Sequence, residues 1–75
     1  MKKEIRDKLE ELDRTVTAYD TNKQLIVIHG DGSIFYFSNC YFELYNKCLL
    51  VIPEHQLATA FHLEEVAYKE CNFNT

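Results

Sequence analysis

Residues 23–39, KQLIVIHGDGSIFYFSN, set two β-prone runs on either side of a glycine pair. The runs are LIVI at 25–28 and IFYF at 34–37, joined through His29-Gly30-Asp31-Gly32, which holds both glycines of the 75-residue chain. Glycine takes positive φ at no steric cost, so Gly-Asp-Gly between β-rich runs predicts a hairpin with a connection of roughly three to five residues. In the first run Ile26 and Ile28 alternate with Leu25 and Val27, which makes both faces apolar. Such a strand is expected at the centre of a sheet, covered on both sides.

Upstream, Ile5, Leu9, Leu12 and Val16 recur at steps of three and four among charged residues. That spacing predicts an amphipathic helix over 1–14, supported by the i,i+4 pairs Glu4–Lys8 and Glu10–Arg14. Three turns are marginal alone, so the stripe is expected to pack on the sheet or to serve self-association through Ile5, Leu9 and Leu12. Residues 15–19 (TVTAY) read as a first strand and 20–22 as a turn.

Downstream, residues 33–44 form a long aromatic stretch, with a bend or bulge expected at Ser38-Asn39 where small polar residues interrupt the ladder. Residues 45–47 read as a tight turn, and 48–52 as a buried run ended by Pro53, which cannot donate to a ladder. After a turn at 53–56, residues 57–63 alternate large and small side chains as a half-exposed strand does. Glu64-Glu65 turns the chain into a last strand over 66–71, and 72–75 reads as a frayed tail. The expected fold is mainly β (α+β) and a single domain spanning 1–75. It has one N-terminal helix, then five to six short antiparallel strands over 15–71 in a strongly curved sheet or small partly open barrel. This layout resembles the Sm-like fold in topology, although none of that family's RNA-contacting motifs is found.

Composition narrows the function. Nearly half the residues are apolar (47%), which suffices for a core in one small domain. No apolar run reaches the ~18 residues of a membrane span and the start is charged, so the chain reads as cytoplasmic and not membrane-bound. The net charge is −4. The first fourteen residues balance, leaving Lys23, Lys47 and Lys69 against seven acidic groups in the rest. No basic stripe exists there to displace counterions from phosphates, which disfavours nucleic acid as a partner. Three cysteines, an odd count without a secretory signal, read as reduced thiols.

Neither a catalytic nor a metal signature emerges. His29, Asp31 and Ser33 are triad residue types crowded into one turn, whereas a triad converges from separate segments. The Gly-x-Gly loop leads into a strand and not into the helix N-terminus that a phosphate loop needs. Cys40, Cys48, His55, His62 and Cys71 lack the close ligand pairs of zinc sites. No catalytic residue, metal or cofactor is therefore assigned.

Ten aromatic residues exceed what so small a core holds, so some tyrosines are expected on a protein-binding surface. The expected site combines Tyr36, Tyr41, Tyr45 and Tyr68 with Glu43, Glu54, Glu64 and Glu65, and its partner is a larger, basic protein, with a homodimer as a further expectation. In size and acidity the chain resembles small phage and mobile-element inhibitors of host machinery, the anti-CRISPR proteins among them. That resemblance implies acidic groups competing for a basic surface that normally holds nucleic acid. The alternative is a small-barrel module of Sm-like type that binds nucleic acid or a small ligand.

Overall fold

A computed structural model describes residues 2–17 and 23–72. Helix α1 runs Lys3–Thr15 and buries Ile5, Leu9 and Leu12, the residues that its periodicity places on one face. It extends one residue beyond the expected end because Thr15 closes its own turn. The Thr15 hydroxyl donates to the Glu11 carbonyl at 2.9 Å, and the Val16 N–H donates to Leu12 at 2.8 Å. The strand expected from residue 15 thus loses its first position to the helix. Val16 and Thr17 join no strand, and the remainder of that strand and the turn at 20–22 lie outside the described residues.

The described residues form six strands, β1 (Lys23–His29), β2 (Ile34–Ser38), β3 (Cys40–Tyr45), β4 (Cys48–Pro53), β5 (Thr59–His62) and β6 (Val66–Asn72). The β1–β2 hairpin forms where the glycines predict it. His29 and Ser33 close the loop through His29 N–H to the Ser33 carbonyl at 2.8 Å, and Gly32 adopts φ +96°. The expected bend falls on Asn39, which has φ 55° and carries the chain out of one sheet and into the next. Asn46 and Lys47 connect β3 to β4 with φ of 50° and 64°, as a two-residue hairpin turn of the primed kind requires. Asn72, expected in the tail, pairs with Lys23 as the last residue of β6.

All pairings are antiparallel, but the strands divide into two sheets, β2-β1-β6 and β3-β4-β5. No closed barrel forms among the described residues; the molecule is layered. Helix α1 lies on one face of β3-β4-β5, where Ile5, Leu9 and Leu12 meet Cys48, Leu50 and Ile52. The opposite face of that sheet presents Cys40, Leu49 and Val51 to Leu25, Val27 and Phe37 of the second sheet. Strand β4 therefore feeds both cores, and all six of its residues are buried.

This assignment corrects one expectation. β1 is the central strand of its own sheet, yet only its Leu25–Val27 face is covered. β4 is the strand covered on both faces. Their sequences, LIVI and LLVI, are both uninterrupted apolar runs, and nothing local to either distinguishes a two-sided from a one-sided environment.

Candidate docking face

Side chains alternate along a strand, so burying Leu25 and Val27 sends Ile26 and Ile28 to the other side of the sheet. The register then gathers their neighbours. Ile26 pairs with Tyr36 and Ile28 with Ile34 on β2, while across β6 they pair with Lys69 and Ala67. The result is a contiguous apolar patch on the outer face of β2-β1-β6. Ile28 is 46% exposed, Ile34 54% and Tyr36 59%. Scattered exposed apolar residues need no explanation, whereas these stand next to one another on a single sheet face. Between β1 and β6 the face dips into a shallow groove of about 220 Å³ bounded by Ile26, Ile28, Ala67, Tyr68 and Lys69. Gln24, Ser38 and Cys71 follow at one end of the face, and Lys69 is its one charged side chain among the described residues.

The eight residues expected to form a partner site do not converge. Tyr36 alone stands within the apolar face. Tyr41, Glu43 and Tyr45 lie on the side of β3 that faces the helix, half-buried and occupied with each other. The Tyr41 hydroxyl donates to Glu43 Oε1 at 2.5 Å, and Lys8 Nζ sits 4.0 Å from Glu43 Oε2 and 5.5 Å above the Tyr45 ring. Accepting that hydrogen bond, the Glu43 carboxylate pushes the Tyr41 hydroxyl above its ordinary 10.0, with burial adding to the effect. Tyr68 leans the other way and meets Phe42 edge-on at 6.3 Å.

The remaining glutamates occupy the two ends of the molecule. Glu54 follows β4, and its carboxylate is 2.9 Å from His55 Nε2. Glu64 and Glu65 lie in the β5–β6 turn, where the Glu65 carbonyl accepts the Gly30 N–H at 2.8 Å. The stripe expected to serve self-association is also spent internally. Ile5, Leu9 and Leu12 are 3%, 8% and 8% exposed against the chain's own sheet, so that face of α1 is not offered to a second copy.

Sequence reasoning missed Ile26, Ile28 and Ile34 as surface residues. The signal for Ile26 and Ile28 was present in the two-sided apolar pattern of β1, which the chain satisfies on one side only, and Ile34 joins them through its pairing with Ile28 on β2. The cysteines Cys40, Cys48 and Cys71 are all free, and Cys40 and Cys48 stand at opposite ends of the β3–β4 hairpin in different cores. Among the described residues no three His, Cys, Asp or Glu side chains gather as a metal site would require, and no helix is long and apolar enough to cross a membrane. The chain matches no protein-family model, no curated protein and no solved structure.

Proposed function

We propose that the chain is a non-enzymatic interaction protein whose outer β2-β1-β6 face seats an amphipathic helix of a larger protein. The observation that carries this reading is the uncovered row Ile26, Ile28, Ile34 and Tyr36 on a sheet whose other face packs Leu25, Val27 and Phe37 against the second sheet. Three strands ~4.8 Å apart, with about five residues each at ~3.3 Å, give a footprint on the order of 250 Å². A stable dimer needs roughly 800 Å² per partner, so two copies meeting through this face alone fall short. One helix stripe fits it. The molecule already contains that solution, because α1 seals the far face of β3-β4-β5 with three apolar residues. Lys69 at the groove favours an acidic residue on the incoming helix, while Glu64 and Glu65 at the end of the molecule favour basic groups elsewhere on the partner. Occupying a helix that the partner uses for its own contacts would make the protein an inhibitor of the phage or mobile-element kind.

The test is a displayed library of helical peptides selected against the wild-type protein and counter-selected against Ile34→Glu. Amphipathic helices should enrich on the wild type, be lost on the variant, and shift backbone amide resonances of β1, β2 and β6. A wild-type dimer that Ile34→Glu dissociates would assign the face to a second copy, and binders that map to the glutamates would restore the acidic site. Either result overturns the helix-docking reading.

A further inference from the structure

We infer that Cys48 is a site of reversible thiol–disulfide exchange with a small disulfide bearing carboxylates, and that His62 takes up its proton. The two residues are cross-strand partners at the start of β4 and the end of β5, with Cys48 Sγ 3.8 Å from His62 Nδ1. They line a cavity of about 330 Å³ beside the first turn of α1, together with Lys2, Lys47, Ala60 and Glu64. Cys48 is only 3% exposed, so a reagent reaches it from the cavity side. Two ammonium groups against one carboxylate give the lining a positive balance that suits an anionic ligand.

The other thiols are placed differently. Cys40 is buried between the sheets, where desolvation and the nearby Glu70 charge push its thiol up and keep it protonated. Cys71 is half-buried beside the apolar docking face, and among the described residues no imidazole pairs with it across the sheet. Among the described residues Cys48 is the thiol that combines a cavity with a base.

The exchange balances without a further reagent. The Cys48 proton passes to Nδ1 of the His62 tautomer that carries its hydrogen on Nε2. The thiolate sulfur attacks one sulfur of the incoming disulfide, a new S–S bond forms as the old one breaks, and the electron pair leaves with the departing sulfur. That thiolate then recovers the proton from His62. The small disulfide is the oxidant, and one thiol is consumed as another is released.

The experiment treats the native chain with oxidised glutathione and follows each cysteine by peptide mass mapping across pH, in the wild type, Cys48→Ser and His62→Gln. Cys48 should carry the first adduct. His62→Gln should slow it about tenfold or more and reduce its pH–rate curve to that of a lone thiol, leaving the Cys71 rate unchanged. His62 is exposed, so the variant keeps the fold, which amide exchange checks in the same samples. A first adduct on Cys40 or Cys71, an unaltered Cys48 rate in His62→Gln, or reaction only at the rate of global unfolding would overturn the assignment.

Discussion

Tyr41 and Asp31 show how single residues are tuned by one neighbour. The Tyr41 hydroxyl is raised above 10.0 because it donates to the Glu43 carboxylate. A folded value above the unfolded one means that the bond stabilises the protein below that pH, and the stabilisation is lost as pH rises through the raised value. Ultraviolet titration should therefore show one tyrosine ionising late, and Glu43→Gln should bring it earlier. Asp31 moves in the opposite direction. The Ser33 backbone N–H, 2.9 Å from Asp31 Oδ1, and the Ser33 hydroxyl hold it below 3.8, and His29 adds attraction. Its contribution is present above 3.8 and is lost as pH falls through the lowered value. In a carboxyl NMR titration Ser33→Ala should raise the Asp31 midpoint only part of the way, because the backbone donor remains.

At the scale of elements, the β3–β4 turn and strand β4 bear the clearest costs. Lys47 holds φ 64° with a side chain attached, a conformation that glycine adopts freely. Lys47→Gly should therefore stabilise the protein by about 0.5–1 kcal/mol in urea unfolding, the scale of strain for a side chain in that region. Leu50 belongs to the strand buried on both faces and is 0% exposed beneath α1. Leu50→Ala should cost roughly 2–5 kcal/mol, the range for deleting a fully packed leucine side chain. Both the helix stripe and the hairpin glycines were legible in the sequence, since each rests on spacing within a dozen residues. The length of α1 was less so, because Thr15 is a strand former by propensity and its helical placement depends on a hydroxyl-to-carbonyl bond.

The whole molecule is an asymmetric stack of helix, sheet and sheet, closed on one side and open on the other. The two faces of β1 should answer differently to substitution. Leu25→Ala, at a position that is 0% exposed, should cost roughly 2–5 kcal/mol. Ile28→Lys, at one that is 46% exposed, should stay within about 1 kcal/mol, as surface strand positions do. Chemical denaturation of the two variants measures the difference directly. Equal costs would mean that the outer face is covered in solution by something the isolated chain supplies. Glu54, Glu64 and Glu65 lie at the ends of the stack, outside the apolar row of Ile26, Ile28 and Ile34.

By itself the sequence determined the helix, the β1–β2 hairpin, the bend at Ser38-Asn39 and the burial of residues 48–52, whereas the strand read over 57–63 shortens to Thr59–His62. Each depends on local periodicity or on a residue whose backbone preference is strong. Only the tertiary structure decided which apolar strand lies between two layers and which is left half bare. That choice depends on where the chain crosses from one sheet to the other at Asn39 and on which face the single helix covers. LIVI and LLVI carry the same local information, and contacts from residues distant in the chain separate them. The same holds for Cys48 and His62, fourteen residues apart and brought within 3.8 Å by the pairing of β4 with β5.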